Sequence, residues 1–468
     1  AASDVYKRQK VLTAEELKGM RLRLYNDIKA ISSGGYLYLT DYFTDLVTET
    51  NASGNTGAFF YLWMLYANDQ DISSMWNGYY GIIRDANYAI MKMEESQREG
   101  VATGAEINMY IGEMKFFRAY TLRQLALRFC EAYDPDKATT QPGIPVPDKY
   151  ETGSHLERGT LADVYKQIQS DITDAELAVT TAGSANAIYL TADAITAFKA
   201  QIALQMHDYP NASKYASSLY EAYPLIKNKE HLEQMWREDV STETIFQPEV
   251  TRATLATVGS MQPYYFGQWQ ESSKQYVCAP YYVLEQKYVD LYSAEDYRMG
   301  VYLEKARIQM AGLSNSGYVL SKFIGNKTFQ TDRTQLAYRN MPKIFRVAQM
   351  YLIDAEAQNR QNGGGAGPLN TLRQSRGLET TNATGDDLFE EIQKEYMREM
   401  VGEGQRLFDI KRWEISVKRN NQALGSILTR RGDAVSINAA SDRIVWPIPQ
   451  DEISNNPNFG SQNPGYAQ

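Results

Sequence analysis

The residues best suited to bind a ligand in this chain are aromatic. Two clusters of aromatic side chains stand out, one at residues 59–66 and one at residues 264–282. A flat aromatic ring can stack on the apolar C–H face of a sugar, while amide, carboxylate and guanidinium groups at its edges bond the hydroxyls. Such a site needs few charges and no catalytic group. The two clusters are therefore suited to stacking on sugar rings.

We select six candidate ligand-binding residues from these clusters and their polar neighbours. They are Tyr61, Trp63, Asn68, Tyr265, Trp269 and Tyr276. Trp63 and Trp269 lead the set because both lie in loop-rich stretches, and loops on a rigid scaffold carry most binding residues. Core packing is the alternative interpretation for any single aromatic residue. We assign Trp76 and Trp413 to the core, because they lie in stretches that belong to the helical scaffold.

No pattern in the sequence indicates catalysis. Paired carboxylates could serve a glycoside hydrolase, but a chain with 57 acidic residues always offers such pairs. The sequence has no GxSxG nucleophile turn and no glycine-rich phosphate loop. Its three histidines lack a metal-ligand spacing, and its two cysteines are too few for a cysteine metal site. We predict no enzyme activity, no metal site and no cofactor.

Charged residues recur at helical spacing near the C-terminal third. Glu399, Glu403, Arg406 and Asp409 follow one another at steps of 3 and 4, which would place them on one helix face where they can pair. We interpret them as a buried or half-buried ion network that pins helices, because buried charges need partners. The same interpretation applies to four further charged residues: Glu113, Arg118, Arg373 and Arg376.

Composition limits the class of protein. The chain has 468 residues, and 48 basic against 57 acidic side chains leave a net charge of −9. This balance argues against nucleic acid as the main partner, which requires a basic footprint. The longest apolar run, residues 58–67, is about half of the roughly 20 residues that span a bilayer. We therefore expect no membrane-spanning helix.

Helical periodicity dominates the chain and predicts a mainly α fold. Apolar residues at steps of 3 to 5 predict a helix over 105–133, and Thr160 with Asp163 predicts a capped helix start. Helices over 191–207 and 212–223 joined by a short turn have the size of a tetratricopeptide-like unit. A second such pair is predicted at 342–360 and 368–377. Periodicity fades over 240–340, where short strands are predicted at 244–246 and 318–323.

Four ordered motifs resemble the SusD/RagB family of Bacteroidetes outer-membrane nutrient-binding lipoproteins. The first is the helix with Trp76, Tyr80, Ile83 and Asn87, and the second is the stretch 112–119 followed by the proline-rich loop with Gly143-Ile144-Pro145. The third motif lies within 350–378 and the fourth within 398–413, and the chain closes in the family style at 447–449 and 462–466. The set covers most of the chain, and its order makes it specific.

The resemblance implies a fold, a function and a partner. It implies tetratricopeptide-like helix pairs packed against an irregular, loop-rich half with few short strands. We expect one domain over 10–468, with the scaffold mainly at 75–235 and 341–420 and ligand-binding loops mainly at 30–70 and 240–340. By resemblance, the protein captures a glycan at the cell surface and delivers it to a SusC-like TonB-dependent transporter. A RagB-like peptide-binding protein and a soluble tetratricopeptide scaffold are the alternatives.

The start of the chain departs from the family pattern. Residues 1–9 show no periodicity, and we interpret them as a non-native leader. The lipidated Cys that the resemblance implies is absent from the sequence before residue 10. We expect the authentic start to carry an export signal and that Cys, which would anchor the protein to the outer membrane at the cell surface.

Overall fold

The computed structural model describes residues 10–153, 155–438 and 440–466, so the predicted non-native leader lies outside the described residues. Helices are the main regular structure in these ranges. In chain order they are α1 (Ala14–Ile31), α2 (Gly35–Tyr42), α3 (Ala58–Tyr61), α4 (Gln70–Arg98), α5 (Ala105–Phe129), α6 (Leu161–Ala178), α7 (Ala192–Gln205), α8 (Tyr209–Ser217), α9 (Lys229–Arg237), α10 (Gln286–Val289), α11 (Val347–Asn362), α12 (Ala366–Ser375), α13 (Gly385–Glu399), α14 (Arg406–Trp413) and α15 (Gln450–Ser454).

The strands are short, and most lie in the second half of the chain. In chain order they are β1 (Val47–Glu49), β2 (Thr244–Phe246), β3 (Gly267–Gln270), β4 (Gln275–Cys278), β5 (Tyr282–Leu284), β6 (Leu303–Met310), β7 (Leu313–Leu320), β8 (Phe345–Arg346), β9 (Val417–Lys418) and β10 (Ser436–Ile437). Strands β3, β4, β6 and β7 form a sheet in that order. The remaining strands pair two by two: β1 with β5, β2 with β8, and β9 with β10.

Neighbouring helices pack into pairs that build the scaffold. Helix α4 packs on α1 and α5, and α5 packs on α6. In the second group, α8 lies between α7 and α11, which also contacts α12 and α13. The start of α6 is fixed locally, because the Thr160 hydroxyl accepts from the Asp163 amide while the Asp163 carboxylate accepts from the Thr160 amide. The predicted tetratricopeptide-like helix pairs are thus present.

Strand pairing brings the two predicted loop regions together. Antiparallel β1 and β5 align Val47 with Leu284 and Glu49 with Tyr282. Residues from the first loop region thereby lie beside residues more than 200 positions later. The Thr50 amide extends the pairing by donating to the Tyr281 carbonyl at 3.0 Å. The aromatic clusters predicted from the sequence meet around this junction.

Several predicted boundaries shift in the structure. The strand predicted at 244–246 is confirmed, and the strand predicted at 318–323 overlaps the end of the longer β7 only at 318–320, since the chain turns at 322–323. Helix α8 begins at Tyr209, within the predicted turn, because the Asp208 side chain caps it and Pro210 fits its first turn. The region 240–340 is more regular than predicted, since β3, β4, β6 and β7 form one sheet there.

The prediction that Glu399, Glu403, Arg406 and Asp409 share one helix face is wrong. Helix α13 ends at Glu399, and α14 starts at Arg406 after a turn in which Gly402 and Gly404 adopt positive φ angles. These charged residues take partners from remote segments. Glu399 accepts hydrogen bonds from the guanidinium groups of Arg298, Arg346 and Arg376 at 3.2, 2.6 and 2.8 Å, and all three arginines are buried.

The predicted ion network itself is confirmed as a buried scaffold feature. Burial alone would raise the pKa of Glu399, but the three guanidinium groups hold that pKa well below its ordinary value. The Arg406 guanidinium forms a two-pronged contact with Asp45, at 2.9 and 3.0 Å. Glu113 pairs with Arg21, and Arg118 pairs with Asp171, so both also bridge helices. Such paired charges link segments that lack a shared local pattern.

The hydrophobic core runs through the helical scaffold, with a smaller cluster under the four-stranded sheet. Trp76 and Trp413 are buried in the main core, as predicted. No helix in the described ranges is both long enough and apolar enough to span a bilayer.

Candidate functional site

The first aromatic cluster lies on α3 and the residues that follow it, and some of its rings are buried while others are exposed. The ring of Tyr61 is 1% exposed, and the Arg419 guanidinium lies 3.9 Å from its centroid. Phe59 and Tyr66 are 49% and 45% exposed, and their rings meet edge to face at 5.8 Å. The two exposed rings together form an open platform, which we call the Phe59–Tyr66 platform.

Trp63 and Asn68 lie beside this platform. Trp63 has a positive φ of 57°, and its half-buried ring packs against Phe43 with centroids 5.9 Å apart. Within the described residues its indole N–H is buried and has no hydrogen-bond partner. Asn68 is exposed, one residue before the Asp69 side chain that caps α4 by accepting from the Ile72 amide at 3.1 Å.

The second aromatic cluster forms the β3–β4 hairpin. Trp269 stands opposite Tyr276 across the hairpin, and the two rings meet at 5.1 Å. The Trp269 indole donates to Glu271 at 2.7 Å, and the Arg333 guanidinium lies 5.4 Å from the Trp269 centroid. The half-buried Trp269 ring is therefore held in a fixed orientation by Tyr276, Glu271 and Arg333.

Tyr265 lies underneath this hairpin. Its ring is buried, it packs 6.2 Å from Tyr276, and its hydroxyl bonds the Glu304 carboxylate. Burial and the Glu304 charge raise the pKa of Tyr265 well above its ordinary value. Tyr61 and Tyr265 are both enclosed, so we place them as supports beneath the candidate site rather than as residues that contact a ligand.

Three aromatic residues outside our candidate set connect the two clusters. Phe266 and Tyr281 pack at 4.5 Å between the hairpin and β5. Tyr38 on α2 packs 5.3 Å from Tyr42, which stacks on Tyr282 of β5, so Tyr38 adjoins the same junction. Burial first, and then the Asp71 carboxylate and Tyr281, raise the pKa of Tyr38. All three rings are half-buried. Phe266 and Tyr281 belong to the second cluster, but Tyr38 lies in a helix without a loop signal.

The aromatic face is the surface formed by the exposed or half-buried rings of both clusters and of their connection. Its members are Tyr38, Phe59, Trp63, Tyr66, Phe266, Trp269, Tyr276 and Tyr281. The Asp69 amide donates to the Tyr66 carbonyl at 3.0 Å, so the start of α4 adjoins the Phe59–Tyr66 platform. Asp71 follows two residues later, and its negative charge contributes to the raised pKa of Tyr38. Carboxylates thus border the rings, as hydroxyl-rich ligands require.

Buried charges hold the underside of this face. The Asp41 carboxylate on α2 accepts from the Gly404 amide and the Tyr264 hydroxyl, at 3.2 and 3.3 Å. Burial raises the pKa of Asp41 to about 7. Tyr42 stacks on Tyr282 at 3.8 Å and joins α2 to β5. These contacts fix the backbone from which Tyr38 and Tyr281 project.

Reactive groups are scarce in this region. Burial raises the pKa values of the Cys130 and Cys278 thiols to about 12, which leaves both in the unreactive protonated form at neutral pH. Among the described residues, no group of three or more His, Cys, Asp and Glu side chains has the geometry to hold a metal ion. The arrangement suits stacking and hydrogen bonding.

The chain matches two protein-family models along most of its length. A model described as the SusD family matches residues 180–466, which is more than half of the chain. The chain belongs to the SusD family. A second model, described as "Starch-binding associating with outer membrane", matches residues 6–204. The family resemblance noted in the sequence is confirmed.

Individual relatives agree with this assignment. The starch-binding protein SusD of Bacteroides thetaiotaomicron is 31% identical over 144 residues, which are 30% of this chain and 25% of that protein. The alignment therefore spans only a quarter of that relative's length. A SusD superfamily crystal structure from the same species superimposes with a TM-score of 0.80 at 24% identity, covering 97% of this chain and 100% of that chain.

A structure named as a laminarin-binding SusD-like protein also shares the fold. It has a TM-score of 0.73 at 17% identity and covers 97% of this chain and 100% of that chain. These structural matches confirm the mainly α fold class.

Proposed function

We propose that this SusD-family protein binds a glycan on its aromatic face at the cell surface and catalyses no reaction. The observation that carries this proposal is the exposed Phe59–Tyr66 pair in one predicted loop region, together with the half-buried Trp269–Tyr276 pair in the other. Sugars present apolar faces to such rings and hydroxyls to the bordering Asn68, Asp69 and Asp71. Starch-binding and laminarin-binding relatives support a glycan as the ligand.

Delivery to a SusC-like TonB-dependent transporter and lipid anchoring in the outer membrane complete the proposed function. The description of the second family model, with its reference to the outer membrane, supports this location. We propose that residues 10–468 act as one domain in this role, with the loops at 30–70 and 240–340 presenting the ligand site. Copurification of the transporter with the intact protein from its native membrane tests the partnership, and its absence there contradicts it.

A glycan array combined with a matched peptide library tests the ligand class. We expect saturable binding of an oligosaccharide, with Phe59→Ala and Tyr66→Ala each weakening it by about 1–3 kcal/mol, by analogy with bases stacked on aromatic rings. Leu177→Ala is the matched control. Leu177 is 78% exposed on α6, so this substitution removes exposed apolar surface away from the aromatic face. Binding of peptides alone favours a RagB-like function, and binding of neither class favours a scaffold.

A further inference from the structure

A separate cleft of about 380 Å³ opens beside the middle of α4. The proline-rich loop that follows α5 and the C-terminal segment around α15 form its other walls. Trp76 and Tyr80 pack in its floor with ring centroids 4.7 Å apart. The Tyr80 hydroxyl donates to the Pro145 carbonyl at 2.7 Å, which fixes this ring relative to the loop. The cleft therefore has an ordered aromatic base and a volume sufficient for sugar units.

The cleft lies apart from the aromatic face on the same helix. Asp71, Ser74, Asn77, Gly81 and Arg84 follow at steps of 3 or 4, so they share one face of α4. The thirteen steps from Asp71 to Arg84 correspond to about 20 Å of helix at a rise of about 1.5 Å per residue. A ligand anchored at Arg84 would therefore reach the start of α4 only if it were extended.

Arg84 supplies a cation without a partner. Its side chain is exposed, and within the described residues it forms no ion pair or hydrogen bond. The Arg84 guanidinium lies next to Gly81, because a Cβ atom added at Gly81 would lie 3.7 Å from Nη2 of Arg84. The other cation of the cleft, Lys149, pairs with Glu151 at 3.2 Å. The Arg84 guanidinium is thus free to donate hydrogen bonds to the carboxylate of a ligand.

The opposite wall limits how much negative charge the cleft can accept. Glu452 is half-buried, and its pKa is raised by burial first and then by the neighbouring Asp451 carboxylate. Asn77 and Asn456 add amide groups at the rim. With two basic and two acidic side chains, the lining suits one sugar unit that carries a single carboxylate.

We propose that this cleft binds a uronic-acid unit of an oligosaccharide, with Arg84 anchoring the carboxylate. A guanidinium binds a carboxylate through two parallel N–H···O bonds, which a neutral sugar cannot replace. The Tyr80 edge and the two asparagines provide the apolar and amide contacts that the sugar ring needs. The cleft is a second site, and its ligand chemistry is independent of glycan capture on the aromatic face.

Isothermal titration of the intact protein with trigalacturonic acid and with neutral galactotriose tests this site. We expect trigalacturonic acid to bind, and Arg84→Ala to weaken its affinity about tenfold or more. Arg84→Lys should restore only part of the affinity, because an ammonium lacks the planar fork. Arg98→Ala is the matched control: Arg98 is an exposed arginine at the end of α4, and its loss should leave affinity unchanged.

Three results would overturn the proposal: no saturable binding of trigalacturonic acid, equal affinity for galactotriose, or equal effects of Arg84→Ala and Arg98→Ala. Tyr66→Ala separates this site from the aromatic face. If trigalacturonic acid binds only through the aromatic face, Tyr66→Ala will weaken it and Arg84→Ala will not. If the aromatic face binds no glycan at all, the Arg84 dependence will persist.

Discussion

Removal of Arg406 should reveal how strongly buried ion pairs hold this fold together. Arg406 on α14 and Asp45 before β1 are 361 residues apart in the chain, and both are buried. Arg406→Ala would leave the Asp45 carboxylate without its two-pronged partner. Breaking a buried pair in this way typically costs about 3–5 kcal/mol. The Lys287 ammonium also contacts Asp45, so it would retain part of the interaction.

We therefore expect Arg406→Ala to lower the free energy of unfolding by about 2–4 kcal/mol at pH 7. Burial would raise the pKa of Asp45, but Arg406 and Lys287 hold it well below its ordinary value. The pair thus stabilises the protein fully above the unfolded pKa of about 3.9, and this contribution is lost as the pH falls below that value. The difference in the free energy of unfolding between Arg406→Ala and wild type should therefore shrink as the pH falls.

Denaturant titration followed by circular dichroism at pH 7 and below pH 4 measures this effect. Arg430→Ala is the control, because Arg430 pairs with Asp433 at 3.6 Å on the surface and should contribute less than about 1 kcal/mol. Glycan affinity of the folded Arg406→Ala protein should be unchanged. An unmoved denaturation midpoint together with lost glycan binding would refute the scaffold role and assign Arg406 to the ligand site.

Three further predictions concern the ligand face and the pH response. Trp63→Ala and Trp269→Ala should each weaken glycan binding by about 1–3 kcal/mol in isothermal titration while the helical circular dichroism stays intact; unchanged affinity in both would move the site away from these loops. Affinity for a neutral glycan should vary little between low and high salt, and a strong dependence would indicate charged anchors. Burial and the nearby Asp85 carboxylate raise the pKa of Asp27 to about 8, so the contribution of Asp27 to stability should fall as the pH rises from about 4 to 8. Asp27→Asn should therefore gain about 1–2 kcal/mol over wild type above pH 8 after discounting for solvent screening, and equal melting curves there would contradict the raised pKa of Asp27.

Features that depend on neighbouring residues could be predicted from the sequence. The capping box of Thr160 and Asp163 is confirmed because both partners lie within one turn. The burial of Trp76 could be predicted because it lies in a scaffold motif. The mainly α fold class and the family also followed from ordered local motifs, each of which is weak when considered alone.

The structure of the candidate site could not be predicted in the same way. Trp63, Asn68, Trp269 and Tyr276 were found by residue type, and their role as ligand contacts stays a prediction. Tyr38 was missed because its ring reaches the face only after β1 pairs with β5 and sets α2 against residues 263–284. Residue type could not separate the enclosed Tyr61 from the exposed Phe59 two positions earlier.

The amino-acid sequence by itself determined the helical scaffold, the family and the aromatic character of the site, because periodicity, caps and residue type act over a few positions. Only the tertiary structure decided which charges pair and which rings face outward. The spacing of Glu399 and Arg406 indicated one helix face, yet their partners include Arg376 and Asp45 on other segments. Burial makes an unpaired charge costly, so remote partners determined this arrangement rather than local spacing.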